Sequence, residues 1–296
     1  MAIGLAQPVV GAPPRGFGHR LRRALLTDPL GFFSLVVIVL LIVMAIIGSA
    51  MAPYPMQGEG ASSVTTRLFP PSWAHWFGTD LFGRDILSRV IVGARGALVV
   101  SVAVVALAMA IGVPIGAIAG YSRGRIDGAL MRLTDLFLAF PPLLLAMAIV
   151  AALGPGLDHA ALALAISWWP WYARLARGTA ISLRERPFIE AARSIGIPDR
   201  TIVLRHIVPN SLTPILVQAT IDIGTVILAA GSLAFIGLGA SPPAPDWGLM
   251  VAEGRTYILD QWWVSTFPGL AIFVAVLAFN LVGDLLRDLL DPRQNA

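Results

Sequence analysis

The sequence predicts an all-α, polytopic membrane protein with six transmembrane helices, and three observations carry that prediction. Hydrophobic residues make up 57% of the 296-residue chain and charged residues only 13%, whereas an ordinary soluble domain has about 25% charged residues. The apolar residues are gathered into runs long enough to cross ~30 Å of hydrocarbon, and mean hydropathy is +0.79. Between these runs, short segments concentrate the arginines, tryptophans and turn residues.

The spans fall at residues 32–51, 97–120, 129–153, 160–181, 212–238 and 267–286. Residues 1–28 form a basic tail (Arg15, Arg20, Arg22, Arg23), rich in glycine and proline at its start, where disorder is expected. Its placement is cytoplasmic. The first span follows without a charge; Ser49-Ala50-Met51-Ala52 loosely imitates a signal-peptidase site, but the apolar run before it is longer than a usual h-region, which favours an uncleaved anchor. The loop after it holds Ile86, Arg89 and Val90 at helical spacing, as in an interfacial helix with its polar face wet. Trp73, Trp76 and Phe77 there fit a headgroup belt.

The second span carries Gly112, Gly116 and Gly120 four apart, a small-residue stripe that admits another helix at close range. The third contains Pro141-Pro142. The fourth is short in its uncharged part, so Arg174 and Arg177 must snorkel or face protein, and Trp168, Trp169, Trp171 and Tyr172 place that end at an interface. The loop between the fifth and sixth spans holds Pro242-Pro243, Asp246-Trp247 and Trp262-Trp263.

Arginine sets the orientation. With both termini inside, 16 of the 21 arginines fall on the inner side and 5 on the outer, as the positive-inside rule requires. Dropping the fourth span would put the arginine-rich loop of residues 184–210 outside. The basic balance thus reflects loop placement in a membrane and not nucleic acid. All 21 basic residues are arginine, and without lysine the chain cannot form a Walker-type phosphate loop. Any ATP engine is therefore on another polypeptide. Zero cysteine excludes disulfides and thiolate chemistry. His75 lies near aspartates, but four scattered histidines do not make a metal site, and no catalytic residue is expected.

Residues 184–210 read RERPFIEAARSIGIPDRTIVLRHIVPN. Pro187 suits the first turn of a short helix through Glu190, Ala191 and Ala192. Gly196 can close it in the left-handed conformation. Pro198 and Asp199 open a second short helix, which Pro209 ends. The product is a compact two-helix knob between spans four and five, shaped for a protein groove.

Here the sequence resembles the permease subunits of ABC importers. Glu190-Ala191-Ala192, then Gly196, then Val208-Pro209 match the spacing of that family's EAA loop, although His206 and Val208 stand where isoleucine and leucine are preferred. HWFGTDLFGRDILSRVIVGAR (75–95), GSLAFIGLGASPPAPDWG (231–248) and FPGLAIFVAVLAFNLVGDLLRDLLDPR (267–293) resemble the dipeptide/oligopeptide branch, specifically its C-type subunit. Ala230 and Ala234 depart from it, since many members carry an acidic residue and a serine there. The resemblance covers residues 20–293. It implies an ABC importer type I permease-like fold, with residues 29–296 as the transmembrane permease domain and the 184–210 loop as cytoplasmic coupling helices. It implies a multi-pass protein of the cell inner membrane that contacts lipid and forms a heterodimer with a second, similar permease. Two ATPases holding ATP and Mg, and an extracytoplasmic substrate-binding protein, complete the assembly; this chain binds no cofactor. The cargo implied is a di- or oligopeptide, with a nickel chelate or glutathione as alternatives within the class.

Two competing classes are weaker. An intramembrane enzyme would need a Ser/His/Asp or paired-carboxylate arrangement within the spans, and none recurs at helical spacing. A secondary transporter would need several intramembrane charges; only Asp222 lies deep in a span. Asp222 is a substrate-pathway candidate, as a contact for a cargo ammonium, or else a carboxylate satisfied structurally. Asp80, Arg84 and Asp85 either guide cargo or the binding protein, or form an internal ion pair that fixes their loop, which is the favoured reading.

Overall fold

The computed structural model describes residues 28–290. The tail predicted over residues 1–28 therefore lies outside the described residues except for Asp28, as do residues 291–296. Among the described residues there is no strand, and Thr79 and Asp85 share one isolated bridge.

Helix α1 (Pro29–Met51) starts where Asp28 accepts the Leu30 N–H at 3.1 Å and Pro29 fills the first turn. A turn-rich segment leads to α2 (Ile86–Ser122), whose N-terminus Asp85 caps through the Ser88 N–H at 2.8 Å. Here the structure corrects the sequence. The stretch at Ile86, Arg89 and Val90 is not a separate wet interfacial helix but the first turn of a 37-residue helix, and Arg89 is fully buried. Arg89 faces Asp80, Glu253 of the distant helix Trp247–Gly254 and the carbonyls of Pro243 and Ala244, which local periodicity does not reveal.

Arg123 and Gly124, with φ of 57° and 62°, turn the chain into α3 (Gly124–Leu138) and then α4 (Pro142–Leu153). The third span expected as one run over 129–153 is thus two helices bent by 81°. Pro141 and Pro142 remove successive N–H donors and disfavour helical geometry at Phe140, so the ladder stops. Helix α5 (Leu157–Arg184) returns alongside α2. The knob helix α6 (Pro187–Ser194) follows, then α7 (Asp199–Phe235), α8 (Trp247–Gly254) and α9 (Trp263–Leu290).

Among the described residues four helices, α1, α2, α7 and α9, are long and apolar enough to cross a membrane, and the bent α3–α4 pair, taken as one span, makes five. Helix α5 has the length, 28 residues, but carries Asp158, Arg174, Arg177 and Arg184 among its apolar residues.

The seam between α2 and α5 holds the bundle together. A Cβ on Gly112 or Gly116 would overlap the carbonyls of Trp169 and Ala173, and one on Gly120 would lie 2.6 Å from the Arg177 carbonyl. The glycine stripe therefore does what its spacing predicts, and it decides where the aromatic cluster goes. Trp168, Trp169 and Tyr172 are buried against this seam and not set at an interface; Trp171 alone of the four is half-exposed. Arg177 faces protein, pairing with Asp127 at 2.6 Å and 2.7 Å, whereas Arg174 pairs with Asp135 at 2.7 Å at the exposed surface of the bundle.

Candidate functional site

The knob is built from α6 and the start of α7. Gly196 takes φ +80°, its N–H reaches the Arg193 carbonyl at 2.9 Å, and the Ile197 N–H reaches Ala192 at 3.1 Å. That pair of bonds is the glycine-dependent closure of a helix. One face of the knob is anchored: Ile189 and Ala192 are buried with Ala117, Tyr121, Ala180 and Ile202. The other face is open, with Glu190, Ala191, Ser194 and Gly196 exposed and Ile195 78% exposed. Ala191 and Ala192 thus point to opposite sides, a division that the run Glu-Ala-Ala does not show by itself. Glu190 makes no ion pair within the described residues.

Polar contacts brace the anchored side. The Tyr121 hydroxyl donates to Asp199 at 2.5 Å, and Arg193 donates to Tyr121 at 3.2 Å with its guanidinium 4.9 Å over the ring. Arg184 donates to the Gly120 carbonyl at 2.5 Å, and Arg123 pairs with Glu185.

Pro209 does not end a second short helix. The helix from Asp199 continues to Phe235, because residues Val203–Ile207 form a π turn in which the Val208 N–H bonds the Val203 carbonyl. The wider turn shifts the ladder, so the missing N–H of Pro209 and its ring are accommodated at the new start of α-geometry. Pro209 therefore lies on the shaft that carries the knob.

Asp80, Arg84 and Asp85 lie at the opposite end of α2, ~55 Å away along a 37-residue helix. All three are buried, 3%, 2% and 1% exposed. Asp80 accepts the Arg84 Nε at 2.6 Å and the backbone N–H groups of Phe82 and Arg84. Arg84 also reaches Glu253 on α8 at 2.8 Å. Arg89 sits between the two acids, 3.7 Å from Asp80 and 3.9 Å from Glu253, and donates to the carbonyls of Pro243 and Ala244. Asp85 holds His75 at 2.9 Å as well as capping α2. The internal ion-pair reading fits this geometry. Glu253 and Arg89 were not anticipated; a lone acid in the apolar stretch Leu249–Gly254 was the available signal. Burial pushes the carboxyls of Glu253 and Asp246 above their usual range, while Arg84 and Arg89 pull Glu253 back.

Asp222 stands apart from both ends, buried on α7, where Gln218 donates to it at 3.0 Å. Tyr172 of α5 lies beside it, but its hydroxyl makes no well-formed hydrogen bond. Neither neighbour was anticipated. The structure thus separates the site residues into a knob, a mid-bundle carboxylate and a distal ionic network.

Three kinds of similarity accompany this geometry. Residues 112–296 match the family described as binding-protein-dependent transport system inner membrane component, and residues 16–71 match the N-terminal TM domain of oligopeptide transport permease C. The chain is 47% identical to a probable D,D-dipeptide transport system permease protein of Escherichia coli K12, covering 93% of this chain and 92% of that one. It is 45% identical to a dipeptide transport system permease protein of Alkalihalophilus pseudofirmus, over 91% and 88%. A glutathione transport system permease protein of Escherichia coli O6:K15:H31 is 46% identical, over 99% and 95%. In fold, the chain resembles the inward-facing MetNI methionine ABC transporter, with a TM-score of 0.55 at 20% identity, over 68% of this chain and 96% of that one.

The distal network yields a stability test. Glu253→Ala removes the carboxylate that bridges Arg84 and stands beside Arg89, leaving two buried guanidiniums with Asp80 as their nearest acid, and should destabilise the protein by about 3 kcal/mol or more. The paired change Arg84→Met with Glu253→Leu should recover a substantial part of that loss. Melting of the purified protein in detergent measures both; a Glu253→Ala protein with unchanged melting would show that the network is dispensable.

Proposed function

The chain belongs to the family of binding-protein-dependent transport system inner membrane components, and on that footing we propose that it is one permease subunit of an ATP-driven importer carrying di- or oligopeptides into the cytoplasm. The dipeptide and glutathione cargoes in the relatives' names support a peptide. A nickel chelate is the alternative within the class. A second permease subunit completes the pore, and separate ATPase subunits bind ATP and Mg. An extracytoplasmic binding protein delivers cargo. This chain performs no chemistry of its own.

The proposed topology has six spans, with α5 as the fourth, and both termini and the 184–210 loop in the cytoplasm. Arginine placement supports it, since 16 of the 21 fall on that side. Alkaline phosphatase fused after Ile195 should be inactive and after Ser241 active; the reverse pattern would overturn the six-span reading.

The observation that carries the coupling reading is the two-faced knob. Its inner face is packed on α2 and α5, and its outer face leaves Glu190, Ala191 and Ile195 uncovered. We infer that an ATPase groove covers that outer face, so that closure of the ATPase pair moves the knob and its two flanking helices as one body. Glu190 meets the groove as an anion, Gly196 provides the bend, and Pro209 lies on the shaft. A Cβ at Gly196 meets nothing within 4 Å in this chain, so Gly196→Leu brings only the left-handed strain, about 1 kcal/mol or more, unless a partner is there. The expected result is normal insertion, with ATPase co-purification and cargo-stimulated hydrolysis both reduced about fivefold or more. Ser194→Ala should be near neutral. Normal coupling in Gly196→Leu would make the knob a connector only.

Asp222 is proposed as a pathway residue, on the strength of a buried carboxylate in mid-span. Asp222→Asn should lower transport while the complex assembles at normal yield. Transport that falls only in proportion to lost complex would assign Asp222 a structural role instead.

A further inference from the structure

We propose that the chain holds an anionic phospholipid in a cavity between the end of α2, the start of α3 and the arginine-rich segment of α6–α7. The cavity has a volume of about 1020 Å³. Its chemistry divides in two. Arg123, Arg193 and Arg200 line one part, and Pro114, Ile118, Ile126 and Leu204 line the other. The one acidic lining residue, Asp199, is already engaged by the Tyr121 hydroxyl at 2.5 Å. Arg200 makes no ion pair within the described residues. The result is a net cationic rim over an apolar wall.

Each half excludes a class of ligand. A free anion such as inorganic phosphate has no use for a wall of Ile118, Ile126 and Leu204, which are 44%, 54% and 55% exposed. A zwitterionic lipid has no net charge to match the arginines. An anionic phospholipid satisfies both parts, with its phosphate at Arg200, unpaired among the described residues, its acyl chain along Ile118 and Leu204, and Arg123, already paired with Glu185, as a second guanidinium at the rim. Basic pockets between spans on the cytoplasmic side are where such headgroups are held, and each nearby arginine contributes to that attraction. The site's level also fits: α3 runs on from the cavity with Arg125 exposed at its start and Leu133 and Leu136 exposed in its later turns, so the cationic end stands where headgroups lie and the apolar turns meet hydrocarbon. The proposal rests on the cytoplasmic placement of the 184–210 loop given above.

The test uses the whole transporter, purified with its partner subunits and exposed to equal amounts of phosphatidylglycerol and phosphatidylcholine. Native mass spectrometry then reads retained lipid and subunit stoichiometry together. Phosphatidylglycerol should be retained preferentially and should survive 10 mM inorganic phosphate. Arg200→Gln should lower its retention about fivefold, and Arg123→Gln with Arg200→Gln further still. Leu204→Asn should lower retention of the lipid, whereas Arg132→Gln, outside the cavity, should not. Equal retention of the two lipids by the wild-type complex, or displacement by inorganic phosphate, would overturn the proposal. So would arginine variants that shed the partner permease while keeping the lipid, because the cavity would then be a subunit interface. A complex that transports normally yet retains no phosphatidylglycerol removes the lipid site and leaves the permease reading standing. A chain that never assembles with ATPase subunits removes the permease reading instead.

Discussion

Two helices can approach to backbone contact only if one of them lacks side chains along the seam. Helix α2 meets that condition with Gly112, Gly116 and Gly120, and α5 lays the carbonyls of Trp169, Ala173 and Arg177 into the gap. In a bilayer, lipid tails are as apolar as leucine, so close packing and not hydrophobic exclusion holds helices together. The seam therefore sets the position of α5, and α5 sets much else. It buries Trp169 and Tyr172 in the core, it presents Arg174 and Arg177 to the acids of α3, and it delivers the chain to the knob at a fixed height.

The two ends of α2 solve different problems with similar chemistry. At its start, Arg84 and Arg89 are buried among Asp80, Glu253 and two carbonyls, which ties the first loop to α8. Such a network is costly to break but adds little by itself, and its value is in fixing one arrangement of otherwise irregular loops. At the end of α2, Tyr121, Asp199, Arg193 and Arg184 brace the knob with partly exposed contacts. Exposed pairs are weak one by one; there the apolar contacts of Ile189, Ala192 and Ile202 carry the packing. One end is locked by charge, and the other is seated by shape.

What was legible in the sequence divides along the same physical lines. Local rules succeeded where the local backbone decides: Gly196 closes α6 because only a left-handed residue can, and Pro187 opens it. The small-residue stripe gave a contact because its spacing is a property of one helix. Failures came where a distant segment supplies the deciding partner. Arg89 looked wet because Glu253 is 164 positions away in the chain. Trp168, Trp169 and Tyr172 looked interfacial because the glycines that receive them are on another helix. Pro209 looked like a stop because a π turn cannot be seen in composition. The Pro141-Pro142 pair sits within one apolar run long enough for a span, yet its two missing donors break the helix there. Asp222 stood out for its charge, while Tyr172 beside it was hidden among aromatics.

These constraints also locate the places where the molecule can bend. The glycine seam makes α2 and α5 one body, and the braced knob extends that body to the start of α7, whose Asp222 lies beside Tyr172 of α5. At the other end, the Arg84–Glu253 bridge adds α8 to the same unit. Packed elements of this kind move as wholes, since interiors at crystal-like density do not deform gradually. On the coupling proposed above, a displacement applied at the knob would travel the length of α2 without being absorbed along the seam. Bending is left to positions where the helical ladder is already interrupted: the 81° break between α3 and α4, the non-helical Ile47 within α1, and the π turn at Val203–Ile207 of α7. All three lie in helices outside the α2–α5 seam. The rigid seam and these interruptions are thus complementary, one suited to carry displacement and the others to yield to it.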